Sequence, residues 1–411
     1  MLKSHNKSIL EILGRNPVHP FPARMAPGIA LEALGESKGR LRVLDPMAGS
    51  GTVLAVASGN GHEAIGVDLD PLAVLLARVW TRPIDARRAR KQADAVLDRA
   101  KKAFRVLRYG QAYPEDSDDE TRKFIRYWFD DYARRQLSAL SSAIRQVNDK
   151  TDRDALWCAL SRLIITKQAG ASLAMDLSHS RPHRQFRHAP VKPFNRFHSA
   201  VETVISNCPR SETKSPGPVA VVKRGDARRL AIKDGSIDLV LTSPPYLNAI
   251  DYMRCSKFSL VWMGYNINEL RGIRGDSVGA EASFKEASDA EWVTTLIRQL
   301  KLKPKLSSHD HAFLSRYVWD MERALSEASR VLRRGGRAVY VVGDSTIRNT
   351  FIRNSMIIRA VAQKYGLSHV SSHYRSLPAN RRYLPPPKPG PSSATMDTRM
   401  RREVVIAFTK H

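Results

Sequence analysis

The tetrapeptide Ser243-Pro244-Pro245-Tyr246 combines residue types that can hold a planar ring carrying an amino group. It directly follows the apolar run DLVLT, which is typical of a buried strand. Each proline removes a backbone donor and fixes φ, so the strand cannot continue as an ordinary ladder. Ser243 offers a hydroxyl, Pro244 a carbonyl oxygen that no local helix uses, and Tyr246 a flat ring. We therefore predict a stiff binding loop at a strand end.

A second candidate site is the glycine turn DPMAGSGT, which follows the apolar run LRVL. Gly49 and Gly51 fall at the tip of a predicted strand-to-helix turn, where a ligand can approach the backbone. A Walker loop is excluded because Gly-Lys-Ser/Thr is absent, and Leu54 replaces the third glycine of a dinucleotide fingerprint. Asp45 and Asp68 follow strands near this turn. These acids favour a cationic nucleoside without phosphate, such as a sulfonium, whereas a tight turn without ligand is the alternative for the glycines alone.

Together, DPMAGSGT, GVDLDP and TSPPY resemble the DNA amino-methyltransferases, which use S-adenosyl-L-methionine to methylate the exocyclic nitrogen of cytosine or adenine. HPFPARMAPGIALEAL is similar to the segment that lines the methionine end of the cofactor in that family. GDARRL resembles the strand-end acid that faces the adenine of the cofactor. The resemblance covers roughly residues 15–80 and 219–345 together with the last strand, and it does not cover the region between them.

The resemblance implies a set of cofactor-binding and catalytic residues. Asp68 would accept hydrogen bonds from the ribose, and Asp226 would lie near the adenine. The implied cofactor-binding residues are Phe21, Ala23, Asp45, Gly49, Gly51, Thr52, Asp68 and Asp226. The implied catalytic residues are Ser243, Pro244, Pro245 and Tyr246. A core aromatic is the alternative for Phe21, and capping of local backbone is the alternative for Asp45 and Asp226.

The implied reaction requires the target base to leave the duplex, because stacking and pairing hide its amino nitrogen. Tyr246 would replace the lost stacking, while Ser243 and the Pro244 carbonyl would accept hydrogen bonds from the amino group. Positioning and dipoles then supply most of the rate. Methylation at cytosine C5 is disfavoured because that chemistry uses a Pro-Cys nucleophile, and this chain has Cys208-Pro209 in the reverse order.

Two positions are informative about this resemblance, one because it departs from the pattern of the family and one because it bears on which base is the target. Met47 stands where the family usually has an aromatic residue, which would loosen cofactor packing without changing the chemistry. Ser243 stands where adenine-specific members more often carry Asp or Asn. This favours cytosine N4 as the target, with adenine N6 as the alternative. An RNA base methyltransferase and a non-enzymatic DNA-binding protein on a degenerate scaffold are further alternatives.

The charge balance predicts a polyanionic partner. The 411-residue chain carries 67 Lys and Arg against 40 Asp and Glu, a formal net charge of +27. Double-stranded DNA is the expected partner, and the family resemblance also allows a cognate restriction endonuclease. A membrane surface is disfavoured because no apolar run approaches the roughly 20 residues that span a bilayer. The segment MLKSHNKSIL lacks the apolar core of a signal peptide, so we expect a cytoplasmic protein.

Cysteine and histidine spacing does not indicate a metal site. The three cysteines form no pair with metal-ligand spacing. The histidines of SHSRPHRQFRH lie among arginines in a proline-broken stretch, which is more typical of a basic loop. We therefore expect no metal.

The alternation of apolar runs and helical patterns predicts an α/β protein. We expect a doubly wound, mostly parallel seven-stranded sheet, class I methyltransferase-like, with a helical, basic insertion. The predicted boundaries are 1–80 for the first half of the methyltransferase domain, 81–215 for the insertion and 216–411 for the second half. We also expect an irregular stretch near 265–310, a helix in YVWDMERALSEASRVLRRGG that stops at glycine, and a stiff PPPKPGP connector before the final strand EVVIAFTK.

The candidate DNA contacts are arginines in two stretches, residues 181–196 and the segment near Arg271 and Arg274. Arginine can neutralise phosphates and read guanine edges, and the first stretch also has interleaved phenylalanines. A solvated face is the alternative for any charge run, above all for residues 87–108. The predicted nucleic-acid-binding residues are Arg181, Arg184, Arg187, Arg196, Arg271 and Arg274.

Overall fold

The computed structural model describes most of the chain. The described residues are 7–22, 24–35, 39–177, 182–209, 219–247, 251–280, 290–301, 306–347, 350–376 and 402–411. Three predicted features lie outside them, namely Ala23, Arg181 and the PPPKPGP connector.

The strands form one mixed seven-stranded sheet and one separate two-stranded pair. The strands are β1 (Arg42–Asp45), β2 (Glu63–Asp68), β3 (Val221–Arg224), β4 (Ile237–Thr242), β5 (Leu332–Gly343), β6 (Ser345–Ile347), β7 (Thr350–Ile352), β8 (Leu367–Ser376) and β9 (Arg402–Lys410). The sheet order is β3-β2-β1-β4-β5-β9-β8, and β6 pairs with β7.

The strand pairings confirm the predicted α/β class with a mostly parallel sheet. β2 runs parallel to β3, β1 to β4 and β4 to β5. β9 runs antiparallel to both β5 and β8. Parallel neighbours require crossover connections rather than hairpins, which accounts for the helices between successive strands.

The chain divides into two compact units, and the first is mainly helical. It comprises Met1–Leu34, Ala48–Arg224 and Asp251–Arg274. Its strands are β2 and β3. Its helices are α1 (Ile9–Leu13), α2 (Pro27–Leu34), α3 (Thr52–Gly59), α4 (Pro71–Thr81), α5 (Ala86–Val106), α6 (Asp119–Trp128), α7 (Asp131–Arg145), α8 (Lys150–Ile164), α9 (Pro193–Ser206), α10 (Met253–Leu260) and α11 (Ile267–Asp276), the last of which begins in this unit.

Large aromatic side chains fill the core of the first unit. Trp80, Phe129, Phe197, Phe258 and Trp262 are each at most 1% exposed and belong to one apolar cluster. Two of them come from the region of residues 81–215, so its helices share a core with α4 and α10 instead of enclosing one of their own. Most of its described residues are helical, whereas residues 165–177 and 182–192 contain no helix. Its boundaries at 80 and 215 stay a prediction.

The second unit contains most of the sheet. It comprises Gly35–Met47, Gly225–Ile250 and Gly275–His411. Its strands are β1 and β4 to β9, and its helices are α12 (Glu291–Gln299), α13 (Ser308–Val331) and α14 (Asn354–Lys364). Tyr340 of β5 and Phe408 of β9 are each 1% exposed and meet edge to face at 6.2 Å between ring centroids. This contact joins the parallel part of the unit to its antiparallel strands.

The stretch expected to be irregular, near 265–310, is helical in its described parts, so that expectation was wrong. Helices α11 and α12 occupy it. Leu270 and Ile273 are buried in α11, and Val293 and Leu296 are buried in α12. The spacing of three residues places each pair on one helix face. Charged and glycine residues between them had masked this periodicity.

The predicted glycine stop after α13 was also wrong. The helix ends before Leu332, which already has extended backbone angles of φ −67° and ψ 136°. Gly335 and Gly336 lie inside β5. The helix therefore passes directly into the strand without a glycine cap.

The described residues contain neither a membrane-spanning helix nor a cluster of metal ligands. No helix there has the length and apolar character needed to cross a membrane. The same part of the chain contains no group of three or more His, Cys, Asp or Glu side chains that could hold a metal ion.

Gly66 in β2 provides a test of packing in the first unit. An added Cβ would lie 2.4 Å from Leu54 Cδ1 and 3.2 Å from Ala48 Cβ. We expect Gly66→Ala to lower the free energy of unfolding by about 1–3 kcal/mol, because overpacking forces side chains out of their rotamers. The measurement is the midpoint of urea unfolding of wild type and variant, with unfolding monitored by circular dichroism.

The matched control for this change is Gly272→Ala in α11. An added Cβ there meets no atom of the described residues within 4 Å. The midpoint should therefore stay constant or rise, because alanine is the better helix former by up to about 1 kcal/mol. An unchanged midpoint for Gly66→Ala would contradict the close packing of Leu54 against β2.

Candidate active site

The glycine turn of the first unit has a backbone that only glycine tolerates. Gly49 and Gly51 have φ of 49° and 87°, and Gly51 is the N-cap of α3. An added Cβ at Gly51 would lie 2.8 Å from Ala77 Cβ and 3.0 Å from its Cα, so α4 packs directly on the turn. At Gly49 an added Cβ would meet only the Phe21 ring, at 3.9 Å, within the described part of the chain. The backbone at Gly49 is therefore open to a ligand.

Asp68 at the end of β2 holds this turn in place. Its Oδ2 accepts a hydrogen bond from the Gly49 N–H at 2.7 Å, and its Oδ1 accepts one from the Asp70 N–H at 2.9 Å. Burial and, less strongly, the neighbouring Asp70 carboxylate raise the pKa of Asp68 to about 7, against the lowering effect of hydrogen bonds from backbone amides. A carboxyl group that titrates near neutrality beside a glycine turn is a candidate for function.

Asp70 begins helix α4 and links it to α10. Its Oδ1 accepts from the Leu72 N–H at 2.8 Å, which caps α4. The Ser256 hydroxyl donates to its Oδ2 at 2.6 Å. Burial raises the pKa of Asp70, while the hydrogen bond from Ser256 opposes this shift.

An aromatic pair lies beside the glycine turn. Phe21 is 7% exposed, and its ring stacks on that of Tyr252 with centroids 5.7 Å apart and planes 3° apart. Arg24 donates from Nε to Ser50 Oγ at 3.2 Å and from Nη2 to the His19 carbonyl. Sequence reasoning found Phe21 but missed Tyr252, although Tyr252 lies only six residues after the tetrapeptide.

The tetrapeptide of the second unit directly follows β4, and the four residues belong to neither helix nor strand. This agrees with the stiff loop predicted from the two prolines. Ser243 Oγ lies 3.3 Å from Tyr246 Oη. Tyr246 Oη in turn donates to Glu403 Oε1 at 3.1 Å, and Arg375 Nη1 donates to Glu403 Oε2 at 2.8 Å. Glu403 and Arg375 were missed, because no sequence signal connects Tyr246 with Glu403, 157 residues later, or Glu403 with Arg375 on the neighbouring strand.

Two further acids of the second unit are engaged by neighbouring groups. Asp45 is 3% exposed at the end of β1 and accepts from the Met47 N–H at 3.2 Å. Asp226 forms an ion pair with Arg228 at 2.7 Å, and Arg228 also reaches the buried Asp320 at 2.5 Å. A ligand at Asp226 would thus meet a carboxylate already held by a guanidinium.

The predicted site residues are distributed over both units. In the first unit the structure describes Phe21, Gly49, Gly51, Thr52 and Asp68, and in the second Asp45, Asp226, Ser243, Pro244, Pro245 and Tyr246. Thr52 is buried as the first residue of α3. Their roles in binding and catalysis stay predictions.

The described arginines predicted to contact DNA lie in the first unit. Arg184 is exposed and lies over the Tyr127 ring at 5.6 Å, and Arg187 and Arg196 are exposed. Arg271 pairs with Glu120, and Arg274 with Asp251 at 2.7 Å. Both ion pairs have exposed guanidinium groups, so they contribute little to stability in water.

A basic recess that sequence reasoning missed lies on α10. It encloses about 330 Å³ and is lined by Trp128, Pro182, Arg254, Lys257 and Phe258. Burial lowers the pKa of Lys257, and the nearby cations Arg274, Arg254 and Arg271 lower it further, against the effect of Asp251. The ammonium group thus lies among like charges, where a bound anion would be stabilising.

Asp68 makes the stability of the protein depend on pH. Its folded-state pKa of about 7 lies above the ordinary value of 3.8, so the folded state binds more protons between these two values. Stability from this group is therefore lost as pH rises through 7. We expect Asp68→Asn to remove about 2 kcal/mol of the decrease in unfolding free energy between pH 5 and pH 8.

The measurement is the urea midpoint of wild type and variant at both pH values. The matched control is Asp98→Asn on α5, where the acid is exposed, and its pH dependence should equal that of the wild type. Identical pH dependence of Asp68→Asn and wild type would contradict the raised pKa.

The chain is similar to curated methyltransferases over most of its length, although no family model matches it. It is 23% identical to the Type II methyltransferase M.MvaI of Kocuria varians, covering 92% of this chain and 88% of that protein. It is 22% identical to the Type II methyltransferase M.AvaI of Nostoc sp., covering 81% and 74%.

Solved structures give a weaker comparison. A SAM-dependent methyltransferase from Methanosarcina mazei has a TM-score of 0.32 at 8% identity, over 91% of this chain and 94% of that one. A TehB-like SAM-dependent methyltransferase from Corynebacterium glutamicum has a TM-score of 0.30 at 12% identity, over 94% and 87%. These scores are too low to support an argument. The similarity that stands is the sequence similarity, at low identity, to Type II methyltransferases along nearly the whole chain.

Proposed function

We propose that this protein is a site-specific DNA methyltransferase that transfers a methyl group from S-adenosyl-L-methionine to the exocyclic N4 of cytosine in a flipped-out base. The observation that carries the proposal is the Ser-Pro-Pro-Tyr loop directly after β4, with the Ser243 and Tyr246 hydroxyls in contact. The alignment of 92% of the chain with a Type II methyltransferase supports the reaction class.

The residues of the first unit fit the proposed cofactor. S-adenosyl-L-methionine, when bound, supplies an electrophilic methyl group on a cationic sulfur. Gly49 leaves the turn backbone open to a ligand, and Phe21 forms one side of that opening. Asp68 keeps at least one lone pair beyond those used by the backbone N–H groups it accepts, which suits a ribose hydroxyl. Gly51 and Thr52 shape the same turn. Asp45 and Asp226 belong to the second unit, and their role in cofactor binding stays a prediction.

Ser243 and the Pro244 carbonyl prepare the amino group for attack. The amino nitrogen of cytosine is a poor nucleophile because its lone pair is delocalised into the ring. Acceptors on its two N–H bonds favour a tetrahedral nitrogen, whose lone pair can point at the methyl group. The nitrogen gains the methyl group as the carbon–sulfur bond of the sulfonium breaks and leaves a neutral thioether, and the nitrogen then loses one proton to water. Fixed dipoles of this kind act without reorganisation during the reaction, and no covalent enzyme intermediate is required.

Tyr246 provides the stacking surface for the flipped base. Extrusion from the duplex costs a few kcal/mol of stacking and pairing, and an aromatic side chain returns about 1–3 kcal/mol per stacked base. The hydrogen bond from Tyr246 to Glu403 holds the ring at its hydroxyl end. The ring is therefore positioned before the base arrives, which reduces the entropy lost on binding.

The choice of cytosine over adenine rests on Ser243. A serine at this position supplies one hydroxyl acceptor on a short side chain. Adenine-specific family members more often carry Asp or Asn here, and these side chains are longer. Adenine N6 is the second candidate target for this reason. A cognate restriction endonuclease and a cytoplasmic location stay predictions.

The test of the proposal is the identity of the methylated nucleoside. We expect the purified protein, incubated with S-adenosyl-L-methionine and unmethylated genomic DNA, to produce N4-methylcytosine detected by mass spectrometry after digestion to nucleosides. Ser243→Ala should slow the transfer by about 10²-fold because one acceptor is lost, while cofactor binding measured by calorimetry stays constant.

Three outcomes would change the proposal. N6-methyladenine as the product would keep the reaction class and overturn the base assignment. Methylation of RNA alone would overturn the substrate. Equal rates for Ser243→Ala and wild type would remove Ser243 from the catalytic residues.

The basic recess on α10 leads to a prediction about how the affinity for duplex DNA changes with salt concentration. If Lys257 neutralises one phosphate, Lys257→Ala should weaken duplex binding and reduce the slope of log K against log salt by about 0.9. Fluorescence anisotropy with a labelled duplex at several salt concentrations measures this slope. The control is Lys101→Ala on α5, an exposed lysine of the charge run 87–108, which should leave both values unchanged. The same slope for Lys257→Ala and wild type would exclude a phosphate contact at Lys257.

A further inference from the structure

We propose that Glu403 is a positioning residue for methyl transfer and sets the direction of a hydrogen-bond chain that ends at Ser243. Through the Tyr246 hydroxyl it orients the Ser243 hydroxyl, so that Ser243 presents lone pairs and no proton to the substrate amino group. This inference rests on the proposed function and adds a residue on β9 to the machinery of the loop.

The number of available protons determines the donor and acceptor at each step of the hydrogen-bond chain. A phenol has one proton to donate, and an ionised carboxylate only accepts. Tyr246 therefore donates its proton to Glu403 Oε1, 3.1 Å away. The contact of 3.3 Å between Ser243 Oγ and Tyr246 Oη then requires Ser243 to donate and Tyr246 to accept. The proton of Ser243 is used in this contact, and among the described residues no group donates to its two lone pairs.

This direction matters for the chemistry of an amino group. The exocyclic nitrogen must keep its lone pair for the methyl group, so its neighbours should accept its N–H bonds and donate nothing to it. A serine hydroxyl that is free to rotate also populates the orientation that donates to the nitrogen. Tying its proton to Tyr246 removes that orientation before substrate binds, which is preorganisation of the kind that raises rates.

Glu403 itself is held rigidly by the sheet. Its backbone is paired on both sides, with Gly343 of β5 and with Arg375 of β8. Arg375 is also its side-chain partner, and the two side chains of this ion pair are each 9% exposed. Directly opposite residues of antiparallel strands have adjacent side chains on the same face. The carboxylate is therefore held in a fixed position by the sheet and by Arg375.

A double-mutant cycle between Glu403 and Tyr246 tests the inference. The proteins are wild type, Glu403→Gln, Tyr246→Phe and the double variant, assayed with labelled S-adenosyl-L-methionine and unmethylated genomic DNA. Tyr246→Phe keeps the stacking ring and removes the hydroxyl, so the change isolates the chain. We expect each single change to lower kcat about tenfold, equivalent to about 1.4 kcal/mol, with unchanged KM for cofactor and DNA. The double variant should be no slower than Tyr246→Phe, because Glu403 acts through the hydroxyl that is already missing.

The structure offers a matched control pair in the same unit. Tyr365 donates to Glu322 Oε1 at 3.0 Å, and Lys364 pairs with the same carboxylate. Glu322→Gln thus breaks a tyrosine–carboxylate–cation group that does not contact the tetrapeptide. Thermal unfolding of all variants records any loss of stability, and kcat should stay at the wild-type value for Glu322→Gln.

The outcomes separate the inference from the proposed function. If the wild type methylates DNA and Glu403→Gln has the wild-type kcat, the inference is overturned and the proposed function is kept. The same conclusion follows if the losses in kcat multiply in the double variant. A decrease in unfolding temperature without a decrease in kcat would assign Glu403 a structural role only. A wild type that methylates no nucleic acid would overturn the proposed function, and the role of Glu403 with it.

Discussion

The geometry of the first unit depends on one carboxylate, that of Asp68. Its two oxygens accept the N–H groups of Gly49 and Asp70, so it fixes the turns that precede α3 and α4 at the same time. Because both helix starts are set by this group, Ala77 of α4 can approach Gly51 closely enough to exclude any side chain there. The cost is a carboxyl group in a poorly solvated place beside Asp70, which raises its pKa to about 7. A ligand that donates hydrogen bonds to Asp68 would favour its charged form.

The second unit uses a different device to hold its loop. Two prolines stiffen the tetrapeptide but remove backbone donors, so the loop cannot be fastened by main-chain hydrogen bonds at those positions. Side chains replace them, since Tyr246 is bound to Glu403 and Glu403 to Arg375. A hydrogen bond between charged and neutral partners is stronger than one between neutral groups and is costly to break when buried. The loop is thus rigid for a reason that lies on β8 and β9 instead of in its own backbone.

The sequence could predict those features of the two units that depend on a few adjacent residues. The strand ahead of Ser243, the left-handed glycines and the acid at the end of β2 each follow from a few adjacent residues, and the structure has them where they were expected. The helices α11 and α12 were missed because glycines and charges interrupt an apolar spacing that only burial reveals. Glu403 was out of reach for a different reason, because its link to Tyr246 requires the register of β9, and strand register depends on the whole sheet.

The excess of positive charge acts differently in different places. Arg271 and Arg274 have acidic partners, Glu120 and Asp251, but exposed ion pairs are weak, so such arginines can exchange a carboxylate for a phosphate at small cost. Lys257 is in another situation, because burial and three neighbouring arginines already disfavour its charge. An anion at that recess would relieve the repulsion as well as form a contact. Affinity for a polyanion should therefore depend more on this crowded recess than on the number of exposed arginines.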